Sequence, residues 1–382
     1  MPWTVDNGQW TIVHCQLSTI HYQLSTVNYP LSTSLVLDCL SHQMALIGEI
    51  KMLGFSLPWR LLSFARASLA FGIAILIIIS SCTQESLAPL RIATNLWPGY
   101  EPLHLARDLG YYGDTPIQIV EYASNTERVR AFRNGDVEMT SASLNTVLEI
   151  AETNPDTRIF LIVDFSDGAD GIVAKPEIKN LQSLKGRKVG LESSTLGLFL
   201  LTRGLEKVGL SLQDVKTIPL EIPQQEEAFR KNSVDAVVTY GPPRSNLLAS
   251  GAKSIFDTSQ IPGEVVDTLI GNADLVNTHA TQMKVLLTAW FKALDYINKN
   301  PEDASRRMAQ RQGVTTEQFK KTLNGVRLLN LEENQQLLGK TDPSFLNGIN
   351  RLSNFMTNNR FLKQNLDPNP LLNDQLVKNI KL

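Results

Sequence analysis

Three kinds of side chain in this 382-residue sequence could do chemistry. Hydroxyl and amide residues stand where helices would begin: Ser124 with Asn125, Ser143, and Ser194 with Thr195. The free N–H groups and positive dipole end of a helix start attract anionic or electron-rich groups. The same residue types also serve as ordinary N-caps, which explains them without a ligand. Aromatic residues form the second kind. Trp97, Tyr100, Phe165 and Tyr240 could build a wall on which a flat or cationic molecule stacks. Trp97 precedes Pro98-Gly99 and fits a loop tip better than a core position, and Asn95 adds an amide to the same loop. Asp164 is the third kind. A carboxylate facing a bound molecule would repel a bare anion and favour an amine, an amidine or a ring N–H. The alternative is that Asp164 anchors a backbone amide at a hinge or pairs with an arginine.

Other chemistries have little support. The three cysteines are Cys15, Cys39 and Cys82, so no thiol follows residue 82 and no disulfide is expected there. His104 and His279 stand far apart, and no metal or cofactor is expected. The formal net charge is −2, with 43% apolar and 19% charged residues and no long basic run, which argues against nucleic acid as a partner.

The elements that must position these residues alternate. Residues 90–94, 117–122, 137–140 and 159–164 read as strands, with amphipathic helices between the first ones. The run 159–164 is continuously apolar, as in a buried parallel strand. A second set follows: strands at 188–191, 215–220 and 234–240, with helices opening at Ser193 to Thr195 and lying around 226–231. Such alternation predicts an α/β protein with right-handed crossovers. Ala131-Phe-Arg-Asn-Gly-Asp-Val-Glu138 aligns without gaps on Ala228-Phe-Arg-Lys-Asn-Ser-Val-Asp235, which predicts two similar lobes. Residues 265–270 read as a strand returning to the first lobe. From 278 onward the pattern is helical, with Asn300-Pro301 as a break. In open α/β sheets ligands lie beyond the carboxyl ends of the strands. That rule selects Asn95, Trp97, Tyr100, Ser124, Asn125, Ser141, Ser143, Asp164, Phe165 and Ser166 in the first lobe, and Glu192, Ser193, Ser194, Thr195, Tyr240 and Gly241 in the second.

The N-terminal stretch has a different character. Residues 1–51 contain the short repeat Gln16-Leu-Ser-Thr, Gln23-Leu-Ser-Thr, Pro30-Leu-Ser-Thr. A repeat array needs units of roughly 20–50 residues to bury a face, so this segment is expected to be a non-native or disordered leader. Residues 52–81 combine Arg60 and Arg66 with an apolar run over 67–79 and small residues before Cys82. That is the layout of a secretory signal, too short to span a bilayer comfortably. Ile79-Ser80-Ser81-Cys82 looks like a bacterial lipobox, which would leave Cys82 lipidated after cleavage and the chain tethered to the membrane outside the cytoplasm. An uncleaved anchor helix is the alternative. Residues 82–89 would be a linker.

From about residue 90 to 338 the chain resembles the periplasmic substrate-binding proteins of nitrate, sulfonate and taurine ABC importers. Their superfamily includes binders of thiamine-pyrimidine precursors and related synthases. The resemblance rests on Asn95-Leu-Trp-Pro-Gly-Tyr-Glu-Pro-Leu103, Phe132-Arg-Asn-Gly-Asp-Val-Glu138, Asp164-Phe-Ser-Asp-Gly-Ala-Asp-Gly171, Leu184-Lys-Gly-Arg-Lys-Val-Gly190 with Glu192, and Val234-Asp-Ala-Val-Val-Thr-Tyr-Gly-Pro-Pro243. It implies a two-lobed type II fold, each lobe a mixed, mostly parallel sheet flanked by helices, with a helical C-terminal extension. Lobe 1 would hold residues 90–173 plus 267–382 and lobe 2 residues 174–266, with crossings near Ile172-Val173 and Val266-Asp267. It further implies a monomer that closes on a small nitrogen- or sulfur-containing solute and meets a permease and an ATPase. No phosphate-binding Gly-rich Lys-Ser/Thr loop occurs, so the ATPase would be another chain. A synthase-like enzyme is one alternative. It is disfavoured because such enzymes depend on a cysteine-rich segment that residues 83–382 lack. A sensory lobe for a membrane signalling partner is the other.

Overall fold

The computed structural model describes residues 87–382 and a two-stranded pairing of Val5–Asp6 with Gln9–Trp10. That pair falls within the expected leader. The rest of the leader, the signal segment, Cys82 and the start of the linker lie outside the described residues. Among the described residues no helix is long and apolar enough to cross a membrane.

The first set of elements is β1 (Leu90–Thr94), α1 (Glu101–Asp108), β2 (Ile117–Glu121), α2 (Asn125–Asn134), β3 (Met139–Ser143), α3 (Leu144–Thr153) and β4 (Thr157–Ser166). The second is β5 (Gly171–Ala174), β6 (Lys188–Leu191), α4 (Thr195–Glu206), β7 (Lys216–Pro219), α5 (Ile222–Arg230), β8 (Ala236–Thr239), α6 (Gly241–Ala249) and β9 (Lys253–Asp257). Next come β10 (Val266–Asn272), α7 (Leu275–Thr278), α8 (Ala280–Lys299), α9 (Pro301–Gln312) and α10 (Thr316–Leu323). The chain finishes with β11 (Val326–Leu328), α11 (Leu331–Leu338) and α12 (Pro343–Asn358).

These strands make two sheets, in the orders β11-β4-β10-β3-β1-β2 and β9-β5-β8-β6-β7. Strands joined through helices run parallel: β1 with β2 and β3, and β6 with β7 and β8. The strands that carry the chain between sheets run antiparallel to their neighbours. The expected two-lobed α/β architecture with a helical C-terminal region is what forms. One strand differs in direction. β4 was expected to be a parallel strand, yet both its neighbours, β10 and β11, are antiparallel to it. Its continuous apolar run reflects burial of both faces, with α3 and α11 packed against it, and burial of that kind carries no information about direction.

Local chemistry sets the element ends. Ser124 accepts from the Glu127 N–H at the start of α2, and Gly135 closes that helix at φ +76°, a left-handed conformation suited to glycine. Asn300-Pro301 divides α8 from α9, with Pro301 at the first helical position and Glu302 and Asp303 in the first turn. The two similar octapeptides do the same job. The Glu138 carboxylate accepts the backbone N–H of Arg91 at 2.7 Å, and the Asp235 carboxylate accepts that of Lys188 at 2.8 Å. Each acid therefore locks the strand after its helix onto the first parallel strand of its own sheet.

The chain passes between sheets at 167–170 and 258–265. Ile172 and Val173 lie inside β5, and Val266 and Asp267 open β10, so the crossings sit a few residues from the expected positions. They are tied to each other. Ser166 Oγ meets Thr258 Oγ1 at 2.8 Å, the Gly168 N–H donates to Thr258 Oγ1 at 2.7 Å, and the Ser166 N–H donates to the Val265 carbonyl at 3.0 Å. The C-terminal helices are fixed to the first lobe by a buried ion pair. Arg311 of α9 binds both oxygens of the fully buried Glu101 in α1 and also pairs with Glu121.

Candidate functional site

The carboxyl ends of the two sheets point toward one another, and the side chains they carry touch directly. From the second lobe, the Tyr240 hydroxyl after β8 accepts from Asn95 Nδ2 at 2.9 Å and from Asn125 Nδ2 at 3.1 Å. The Glu192 carboxylate after β6 accepts the Asn125 backbone N–H at 2.7 Å and Asn125 Nδ2 at 2.6 Å. An acid from one lobe thus sits on the N-terminus of a helix from the other, where the dipole favours it. A space of only about 10 Å³ remains between Asn125, Glu192, Ser194 and Tyr240.

Behind these contacts lies Arg128, 1% exposed. Its guanidinium donates to Asn95 Oδ1, to Ser141 Oγ at 2.8 Å and to Asn125 Oδ1 at 2.6 Å, while its Nε has no partner among the described residues. It also lies over the Tyr100 ring, 5.6 Å from its centroid. Arg128 was not among the expected site residues. The spacing could have shown it, because residue i+3 of a helix beginning at Asn125 shares that residue's face.

Trp97 is buried, 3% exposed, and is not a loop tip. Its indole Nε1–H donates to Asp164 Oδ2 at 2.9 Å, and its ring meets Tyr240 edge-on at 5.9 Å. Gly99 makes this possible. A Cβ at that position would come within 1.8 Å of Asp164 Oδ2. Asp164 therefore holds the loop through an indole and engages neither of the partners considered for it, a hinge amide or an arginine. Its other oxygen has no hydrogen-bond partner among the described residues. Asp267 pairs with Asp164 across β10 and β4 and accepts the Tyr100 O–H at 2.5 Å.

The acids outnumber the bases here. Asp164, Asp170, Asp267 and Glu192 are all buried. Burial is the main force raising each of them. Neighbouring Asp267 adds to it at Asp164 and Asp170, and Asp170 reaches about 7. Burial, and then Asp267, also pushes the Tyr100 phenol up, so it remains a donor.

The remaining expected residues divide. Ser124 and Ser194 spend their hydroxyls as true caps, accepting from Glu127 N and Gly197 N, both at 3.3 Å. Ser143 bonds Thr146 Oγ1 at 3.2 Å, and Thr195 Oγ1 is buried without a partner among the described residues. Phe165 does not belong to the group. Side chains alternate along a strand, so it faces away from Asp164 and packs edge-on to Phe345 at 6.4 Å. The rule of looking beyond strand ends specifies a loop but not the face that each side chain takes.

This arrangement can grip a small polar molecule between two sets of hydrogen-bonding groups once the lobes part. A family model described as "NMT1/THI5 like" matches residues 97–304. A curated relative from Brucella abortus (strain 2308) is 26% identical over 141 residues, 37% of this chain. The matched region spans 39% of that relative's length. Two solved structures share the fold. The alkanesulfonate-binding protein SsuA from Xanthomonas axonopodis pv. citri, bound to MOPS, is 18% identical with a TM-score of 0.64, over 73% of this chain and 96% of that one. The periplasmic aliphatic sulphonate binding protein SsuA from Escherichia coli is 18% identical with a TM-score of 0.61, over 77% and 100%.

Proposed function

Because the chain belongs to the NMT1/THI5-like family, we propose that it is an extracytoplasmic substrate-binding protein of the ABC-importer kind. It captures a small polar nitrogen- or sulfur-containing solute by closing two lobes, and works as a monomer with a permease and an ATPase on other chains. Cys82 carries the lipid that holds it to the membrane. The observation that supports this reading most is the meeting of Asn95 and Asn125 from one lobe with Glu192 and Tyr240 from the other, with Arg128 holding both amides from behind. Groups of that kind, divided between two bodies joined by two short crossings, bind by hinge closure: contacts from both sides stabilise the shut form. Trp97 and Tyr100 shape the floor of the site and hold its carboxylates in place.

The test is a thermal-shift screen of the purified chain against amines, amidines, sulfonates, nitrate and pyrimidines. A true ligand at about 100 times its dissociation constant stabilises by about 2.7 kcal/mol, and Asn125→Ala removes that shift. If no compound raises the melting temperature, or if one is consumed without being held, the binding reading fails.

A further inference from the structure

A cavity of about 700 Å³ lies on the opposite face of the first sheet from Trp97 and Tyr100. It is the cavity into which Phe165 turns. Phe199, Phe345 and Phe355 complete its aromatic lining, and Phe199 meets Phe355 edge-on at 5.2 Å. Its walls come from α4 beside the second sheet, from α12, and from the crossing at 262–264. The size falls within the roughly 300–1,000 Å³ of small-molecule sites, which combine apolar walls with a few placed polar groups.

The charges at its edge decide what it takes. Arg203 is held by Glu264 at 2.7 Å and by Glu206 at 2.6 Å. Arg327 is held by Glu333 at 2.5 Å and lies over the Phe165 ring, 4.7 Å from its centroid. Asp342 caps α12 by accepting from Ser344 N at 2.8 Å and Ser344 Oγ at 2.6 Å. Glu264 and Glu333 are thus paired with arginines, while the Asp342 carboxylate is taken up by its own helix start. Arg351 also lines the cavity and, among the described residues, joins no ion pair within 4.0 Å. The chemistry left over is an apolar aromatic chamber with one guanidinium, Arg351, free of any ion pair among the described residues, and one carboxylate, Asp342, bonded to the start of its helix.

We infer that this cavity is a second binding site, for a small anion with a flat apolar body: the ring lies among the phenylalanines and the acid group meets Arg351. An occupant touches α4, α12 and the crossing segment at once, so it contacts both lobes without entering the site between their strand ends.

The probe is 8-anilinonaphthalene-1-sulfonate, titrated into the full chain and followed by fluorescence. Gly348 offers a way to fill the chamber without disturbing the core. It lines the cavity within α12, and a Cβ there meets only Arg351 Nη2, at 3.7 Å. A side chain also suits a helix interior better than glycine. Wild type is expected to show saturable one-site binding. Gly348→Phe weakens it by at least about tenfold, and Arg351→Gln by about threefold to tenfold through loss of one charge-assisted contact. Glu192→Gln, between the strand ends, leaves the titration unchanged. Absence of saturable binding overturns the inference, as do wild-type titrations from both cavity variants, or a loss that follows Glu192→Gln instead. If Gly348→Phe does not fold, the exposed Arg351→Gln substitution decides alone.

Discussion

Asp267 shows how much a single buried acid can govern. It receives the Tyr100 O–H at 2.5 Å and lies beside Asp164, with Asp170 and Arg128 also acting on it or responding to it. Its ordinary value of 3.8 is pushed up to about 6, and that of Asp170 to about 7, mainly by burial. Both acids therefore hold more protons folded than unfolded between about pH 4 and 7. Where the folded state binds the extra proton, stability falls as pH rises. The contribution is complete below the unfolded value and is lost on passing through the folded ones. Asp267→Asn still accepts from Tyr100 but needs no proton. It should flatten the decline in melting temperature between pH 5 and pH 8 and raise stability at pH 8 by on the order of 1–3 kcal/mol. Unchanged slopes in calorimetry at the two pH values would count against this account. The sequence showed Asp164 as a candidate for facing a ligand, but not Asp170 or Asp267, nor the crowding of the three. Nor did it show that Gly99 exists to clear Asp164, because in a Pro-Gly pair it looks like any turn glycine.

At the scale of elements, periodicity and capping residues revealed most of what formed. The α8–α9 break at Asn300-Pro301, the caps at Ser124 and Ser194, and the twin octapeptides could all be read from residue type and spacing. Direction and facing could not. An apolar run such as β4 is the same string whether its neighbours run with it or against it, and Phe165 differs from Asp164 in facing only once the register is known. Long-range pairs were equally hidden. Glu101 and Arg311 are separated by two hundred and ten positions, yet they join α1 to α9. Removing the arginine leaves a fully buried acid that burial already pushes toward the protonated form. Arg311→Ala is expected to cost about 3–5 kcal/mol, read as a lowered denaturant midpoint. A loss within experimental error would mean that water reaches Glu101 freely.

Across the whole molecule, the two lobes approach closely enough for backbone to matter. Gly241 opens α6 at φ +51°, and a Cβ there would lie 2.7 Å from the Leu96 carbonyl oxygen of the other lobe. Gly241→Ala should leave each sheet intact but keep the strand ends apart. Small-angle scattering should report a larger radius of gyration than wild type, and the ligand-induced thermal shift should shrink. An identical scattering profile would show that the lobes adjust around the methyl group.

The reach of Glu192 across to Asn125 has one more consequence. Its carboxylate already occupies the amide corner that an incoming acidic group would seek, so uptake there is an exchange of one oxyanion for another. A visitor that merely equals Glu192 gains nothing by arriving. Only a molecule offering additional groups, reaching Arg128, Tyr240 or the neighbouring acids in the same pose, comes out ahead. In the binding role proposed above, built-in rivalry of this sort would make the protein a discriminator between solutes.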